Sequence, residues 1–165
     1  MLSLLPLLAL LRLATAQSFI VLNTGLGQSS TSTLQSPISL RRLAQDGSNS
    51  TTLTLFNAEA NTSHIGAQAL TYSPSATFLF SATGQGVIRT KLDGSDATTI
   101  LNDNDSNQIP GLTVAEKEQK IYYSDPTTFS IQKADFSGAN TELVRNVSQG
   151  TDFHATGLVV DEARG

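Results

Sequence analysis

The feature that most constrains this chain is an internal repeat with a period in the low to middle forties. Turns of the Asp-Gly or Ser-Gly type recur with their glycines at Gly47, Gly94 and Gly138, which are 47 and 44 residues apart. The stretch Phe78–Ala82 also matches Ile121–Asp125 at an offset of 43 residues. A period of this length without helical periodicity is typical of four-stranded β-propeller blades. The sequence therefore predicts an all-β chain of such blades.

Each repeat offers four short antiparallel strands joined by polar turns. In the third repeat they are predicted at 112–115, 120–124, 130–134 and 141–144. Glycine adopts positive φ freely and a short polar side chain bonds its own backbone, so Asp46 and Asp93 are interpreted as turn residues rather than catalytic acids.

Large side chains alternate along the second strand of each repeat. Phe78, Phe80, Ile121 and Tyr123 are predicted to share one face of this strand and to wedge between neighbouring blades. Burial of each such side chain contributes roughly 1.5–3 kcal/mol.

The chain contains about three blades, at 19–57, 68–102 and 110–145, and the start of a further one at 156–165. It enters at the second strand of a blade, because 19–25 aligns without gaps on 78–84. A twelfth strand is predicted at 157–161. Propellers typically have four to eight blades, so we expect a fragment of a six-bladed propeller. The alternative is that two chains pair into one ring, which would hide the open sheet edges by self-association.

The first sixteen residues have the pattern of a secretory signal peptide. A leucine-rich run from Leu2 to Leu13 is followed by the small residues Ala14-Thr15-Ala16, and the run is too short to span a bilayer. We therefore predict a secreted chain, 17–165, that begins near Gln17. A retained N-terminal anchor is the alternative.

Charge and cysteine content exclude several classes of function. The net charge is -4, and the ten Lys and Arg residues form no basic cluster beyond Arg41-Arg42, so nucleic acid is not an expected partner. No later apolar stretch has membrane length, so no membrane association is expected after signal cleavage. The absence of cysteine rules out disulfides, thiol catalysis and thiolate metal sites.

Four Asn-x-Ser/Thr sequons follow the predicted signal peptide. Each is a candidate glycosylation site and would have to lie on an exposed loop or turn. They begin at Asn49, Asn61, Asn104 and Asn146.

The third repeat carries a recognisable signature. Tyr122, Tyr123, Ser124 and Asp125 follow a Leu-Thr-Val strand and precede a Ser-Gly-Ala-Asn turn. This arrangement resembles the Tyr-Trp-Thr-Asp (YWTD) motif of the low-density lipoprotein receptor class B repeat, with Tyr123 in place of the tryptophan. The resemblance implies a six-bladed propeller that binds a protein or carbohydrate ligand without catalysis. The motif's acid is expected to cap the strand end by accepting backbone N–H bonds.

A more distant six-bladed propeller of the TolB-like type is the alternative. Gluconolactonase-like and streptogramin lyase-like proteins are of this kind, and they imply a metal-dependent hydrolase or lyase whose site needs further blades. Neither a nucleophile elbow, nor a zinc-binding His-Glu-x-x-His, nor a P-loop occurs, which favours a protein that is not an enzyme.

Three further features were considered as sites and interpreted as loops. His64 and His154 precede repeat starts, where a histidine is usually solvated or hydrogen-bonded. The acids of 103–107 have the spacing of a calcium loop, but Gln108 and Val114 stand where that loop needs glycine and glutamate. We therefore expect no catalytic, cofactor-binding or metal-binding residues.

Overall fold

A computed structural model describes residues 18–23, 38–56, 68–84, 86–102, 109–147 and 155–164, and in these ranges every regular element is a β-strand. The strands are Ser18–Asn23 (β1), Ser39–Ala44 (β2), Thr51–Leu55 (β3), Ala69–Ser73 (β4), Phe78–Thr83 (β5), Gly86–Lys91 (β6), Thr98–Asn102 (β7), Leu112–Ala115 (β8), Lys120–Asp125 (β9), Ser130–Asp135 (β10) and Glu142–Asn146 (β11). The all-β prediction is confirmed, and the strands of the third repeat lie within two residues of their predicted bounds. No helix in the described part of the chain has the length and apolar character needed to cross a membrane.

The strands form three antiparallel sheets in which sequence neighbours are spatial neighbours. Blade A consists of β1-β2-β3, blade B of β4-β5-β6-β7 and blade C of β8-β9-β10-β11. Blade A begins with the strand equivalent to the second strand of the others, as predicted. This consecutive up-and-down order is that of propeller blades.

The hairpin between the third and fourth strands of each blade has the same backbone in all three blades. The glycine N–H donates to the carbonyl three residues earlier, from Gly47 to Ala44, Gly94 to Lys91 and Gly138 to Asp135, at 2.8–2.9 Å. Each glycine has positive φ, and so does the residue two positions later: Asn49, Asp96 or Asn140. A bulge interrupts the third strand at one shared position, after Leu40, Val87 and Ile131. The hairpins are thus structural repeats, as their Asp-Gly and Ser-Gly sequences predicted.

The structure corrects two predicted offsets by one residue. Strand β9 is equivalent to β5 at an offset of 42 rather than 43, and β5 is equivalent to β1 at 60 rather than 59. The sequence match had placed Ser81 on Ser124, whereas the strand pairing places Ala82 there. Because side chains alternate between the two faces of a strand, a slip of one residue changes the face assigned to every side chain.

The hydrophobic core lies between the blades and is divided into two clusters. Between blades B and C, Phe80, Ala82 and Val87 contact Ile121 and Tyr123. Between blades A and B, the buried members are Ile38, Leu40, Phe56, Leu79 and Ile88. The predicted wedging of strand-two side chains is confirmed. However, Phe80 points towards the following blade and Ile121 and Tyr123 towards the preceding one, so these side chains meet from opposite sides.

Residues 155–160 form no ladder, so the strand predicted at 157–161 is absent from the described structure. In blades B and C the first strand pairs only with the second strand of its own blade, β4 with β5 and β8 with β9. The described residues after Asp161 supply no such second strand, so 155–160 have no strand beside them with which to form a ladder.

Candidate interaction surfaces of the blades

An arginine on the third strand of each of the first two blades holds the following blade. Arg42 donates through Nη2 to the carbonyl of Leu92 at 2.9 Å, and Arg89 donates through Nη1 to the carbonyl of Phe136 at 3.0 Å. The acceptor always directly follows the third strand of the next blade. Lys133 occupies the equivalent position in blade C. This contact was not predicted from the sequence, although an arginine recurs at the same place in the repeat.

Replacing Arg89 with methionine should destabilise the fold more than the same change at Arg42. Arg89 is partly buried and its guanidinium lies 4.6 Å from the centre of the Phe78 ring, whereas Arg42 is exposed. We expect R89M to lower the free energy of unfolding by about 1.5–3 kcal/mol, the usual range for a hydrogen bond to a charged group. R42M should cost about 1 kcal/mol or less. Urea denaturation checks the order, and equal losses would contradict it.

A glutamate after the first strand makes a second contact between blades. Glu116 accepts hydrogen bonds from the backbone N–H of Ser75, at 3.3 Å, and from its hydroxyl. One repeat later, Glu162 accepts from the N–H of Lys117 at 2.7 Å. Residues 155–164 thus dock on blade C at the place where blade C docks on blade B, even though they form no ladder.

The contact at Glu116 should make stability depend on acid pH. Burial raises the pKa of Glu116, but hydrogen bonds from Ser75 and Ser73 lower it more, and the pKa lies below its ordinary value of 4.5. A lowered folded-state pKa gives stability that is present above the unfolded pKa and lost as the pH falls through the folded one. Wild type should therefore be more stable than Glu116→Gln by about 1 kcal/mol or less at pH 7, and this difference should shrink as the pH falls below 4.5. Urea titrations at pH 7 and pH 3 test this, and a difference of the same size at both pH values would contradict it.

The acid of the YWTD-like motif is fully engaged within its own blade. The Asp125 carboxylate accepts from the backbone N–H groups of Thr127 and Thr128, at 2.8 and 3.2 Å. It also accepts from the Thr128 hydroxyl at 2.7 Å and from Nε2 of Gln132 at 2.8 Å. The Tyr123 hydroxyl donates to Oε1 of the same Gln132 at 3.0 Å. These two motif side chains hold the β9–β10 hairpin.

The other two motif residues lie on the opposite face of β9. Ser124 is buried and donates to the carbonyl of Ala155 at 3.0 Å. Tyr122 is half-buried, and its hydroxyl donates to Glu118 at 3.0–3.1 Å. By strand pairing Tyr122 corresponds to Phe80, the residue that blade C covers on blade B. Tyr122 therefore lies on the face of blade C that points away from blade B.

The face of blade C that points away from blade B is termed the trailing face, and it is largely ionic. Lys133 pairs with Glu118 and Glu142 at 3.5 and 3.7 Å. Lys120 pairs with Asp135 at 3.0 Å and with Glu142 at 3.4 Å. These pairs lie towards the end of the sheet that carries the β8–β9 and β10–β11 turns, and Ser124, near the other end of β9, lies against Ala155.

The face of blade A that points away from blade B is termed the leading face, and its exposed side chains on β1 are apolar, with Arg41 beside Val21 on β2. Phe19 and Val21 lie on it, with 55% and 41% of their surface exposed. Their counterparts in blade C, Ile121 and Tyr123, are buried against blade B. The two open faces of the chain thus differ sharply in chemistry.

The remaining predicted sites divide between described and undescribed residues. Asn49 is exposed in the β2–β3 turn, and Asn146 is exposed at the end of β11. The signal peptide 1–16, Asn61, Asn104, both histidines and the acids of 103–107 lie outside the described residues. Within the described ranges no group of three or more His, Asp or Glu side chains is arranged to hold a metal ion.

Comparison with known proteins identifies the fold. No protein-family model matches the sequence, and no curated protein is significantly similar to it. Among solved structures, a nidogen/laminin complex contains a chain matched over 68% of this one at 14% identity, with a TM-score of 0.55. A TolB protein from Agrobacterium tumefaciens matches 76% of the chain at 18% identity, with a TM-score of 0.48. The matches span 42% and 44% of those chains. The likeness to the nidogen complex bears out the YWTD resemblance at the level of fold: the described sheets are consecutive blades of a β-propeller.

Proposed function

We propose that this chain is a secreted, N-glycosylated propeller protein that binds a protein or carbohydrate partner and catalyses no reaction. One observation carries the proposal. The carboxylate of Asp125, the acid of the YWTD-like motif, accepts four hydrogen bonds from its own hairpin, so it is not free to act on a substrate.

The acids of the Asp-Gly turns support the same conclusion. Asp93 accepts from the hydroxyl and the backbone N–H of Ser95, and these bonds hold its pKa below its usual value. Ser48 lowers the pKa of Asp46 in the same way. A carboxylate with a lowered pKa is a poor proton donor near neutral pH, where a general acid needs a raised one.

The fold comparison supports binding as the role. One solved structure of similar fold is a complex of nidogen with laminin. A protein partner is therefore the first class of ligand to test, and a carbohydrate is the second.

The exposed sequon of blade C indicates which end of that blade would receive the partner. Asn146 is the last residue of β11, the fourth strand of the blade. The turn between strands one and two lies at the opposite end of the sheet, where blade C exposes Lys117 and Glu118. A glycan on Asn146 would obstruct the first end, so we assign binding to the turn end of blade C.

Three measurements on the purified chain test the proposal. Calorimetric titration with Ca²⁺ and with Mg²⁺ is expected to show no stoichiometric binding, and gluconolactone is expected to hydrolyse at the buffer rate. An array of purified secreted proteins and glycans is expected to contain a saturable ligand whose binding E118K weakens and T52K, on the exposed outer strand of blade A, does not. Metal binding at one ion per chain together with metal-dependent lactone hydrolysis would overturn the proposal.

Glycosylation gives an independent test of secretion. Expression of the full chain in a eukaryotic host should place it in the medium, and peptide N-glycosidase should lower its mass. Asn49→Gln and Asn146→Gln should each remove one glycan, because both side chains are exposed. A chain that stays inside the cell with an intact leader and an unchanged mass would contradict this prediction.

A further inference from the structure

The leading face of blade A carries the residue positions that form the contact with the preceding blade in blades B and C. No described blade lies against it. At the position of Phe19, blade B has Leu79 and blade C has Ile121, which are 3% and 0% exposed because a preceding blade covers them. Phe19 is 55% exposed, since no described sheet lies against it. The side chain at this position is thus buried at both blade junctions in the described structure.

The glycine of the turn between strands three and four makes a contact with the preceding blade in blades B and C, but not in blade A. A Cβ atom added to Gly94 would collide with the carbonyl of Leu53, and one added to Gly138 would collide with the carbonyl of Ile100. Each glycine thus rests on the fourth strand of the preceding blade. At Gly47 a Cβ atom would meet nothing within 4 Å.

Blade C presents the other half of this contact. Val144 is the counterpart of Leu53 and Ile100 on the fourth strand, and it is 44% exposed. Lys133 is the counterpart of Arg42 and Arg89, and Gln45 is the counterpart of their acceptors, Leu92 and Phe136. The Lys133 ammonium group lies 3.5 Å from Glu118 and 3.7 Å from Glu142, so both ion pairs are long.

We propose that the leading face of blade A packs on the trailing face of blade C of a second copy. Gly47 would rest on the Val144 carbonyl, and Lys133 would donate to the carbonyl of Gln45. Such a head-to-tail contact continues the junctions within the chain, and two copies would supply six blades, within the four to eight of known propellers.

The cation of the trailing face is compatible with this packing. Arg89, the counterpart of Lys133, is half-buried at the junction between blades B and C and donates to the carbonyl of Phe136. A positive charge at this position is therefore accommodated at a blade junction when a carbonyl group of the next blade accepts a hydrogen bond from it.

Sedimentation equilibrium of the purified chain tests the contact, and Gly47→Asn is the decisive variant. Asparagine tolerates positive φ, so the variant should fold. Its side chain would, however, collide with the second copy, as a side chain added at Gly138 would collide with the fourth strand of blade B. We expect a dimer for wild type and at least tenfold weaker association for G47N, with the same circular dichroism spectrum. The matched substitution Gln119→Asn, at another exposed positive-φ position, should leave association unchanged. A wild type that is monomeric throughout, or a G47N that associates equally well, would overturn the proposal.

Cross-linking fixes the orientation, because the chain has no cysteine of its own. Gln45→Cys and Val144→Cys copies are mixed and treated with a short bismaleimide. A head-to-tail contact gives a covalent dimer in the mixture and none with either variant alone. Cross-linking within the Gln45→Cys sample alone would indicate a contact between two leading faces and would overturn the proposed arrangement.

Discussion

Replacing Gly138 with alanine should be among the most damaging single changes in this chain. Gly138 has φ +83°, in the left-handed region where an alanine costs about 1–2 kcal/mol. The added methyl group would also overlap the backbone carbonyl and Cβ of Ile100, neither of which is a flexible side-chain end. Forcing atoms into a packed junction costs a further ~1–3 kcal/mol. The sum, about 2–5 kcal/mol, is a large part of the 5–15 kcal/mol that stabilises a typical domain.

Gly47 provides a matched control for this substitution. It occupies the same turn with φ +78°, but a methyl group there would meet open space. G47A should therefore lose only about 1–2 kcal/mol, from its φ angle. Urea denaturation at low protein concentration, where copies do not associate, gives both values. Equal losses for G138A and G47A would show that the junction relaxes around the methyl group and would contradict the prediction.

The hairpin turns and strands were predictable because their signals are local. The Asp-Gly turn needs a glycine at positive φ and a short polar side chain beside it, and both are visible in sequence at Asp46-Gly47 and Asp93-Gly94. Strand bounds follow from where these turns stop the alternating pattern. These features keep one period through the chain, so the blade architecture could be predicted from the sequence.

The faces of the second strand were not predicted, because residue type and strand pairing favour different registers. Aligning Ser81 with Ser124 matches two buried serines, whereas the first strands, at Leu70 and Leu112, repeat at an offset of 42. The equal four-residue turns that follow carry this offset into the second strand. Turn length was therefore the better guide, and it makes Tyr122 rather than Tyr123 the residue on the trailing face.

The contacts between blades have no local signal at all. Arg42 and Leu92 are 50 residues apart, and nothing near either residue indicates the other. The useful signal is recurrence: a basic residue returns at Arg89 and Lys133, and an acid returns at Glu116 and Glu162. In a repeat protein a charged residue kept in register identifies a junction contact, because each unit touches only its neighbours.

Replacing Phe80 with alanine should open the junction between blades B and C and leave the junction between A and B largely intact. Phe80 is fully buried, and its ring centre lies 6.5 Å from that of Phe78 and 5.1 Å from that of Phe136. Removing a core phenylalanine costs about 3–5 kcal/mol. Tyr72→Ala, in the same blade but 39% exposed, should cost about 1 kcal/mol or less and serves as the control.

A second measurement, of which strands F80A destabilises, is more informative than the total loss of stability. The two core clusters are separate: Phe80 belongs to one, and Leu40 with Leu79 belongs to the other. Amide hydrogen exchange of F80A should therefore speed up in β9 and β10 more than in β2, because locally opened units follow the contacts that hold them. A uniform loss of protection across all three blades would mean that the junctions fold as one cooperative unit. Such a result would contradict the pairwise contacts between blades that the two clusters, the arginine contacts and the glutamate contacts indicate.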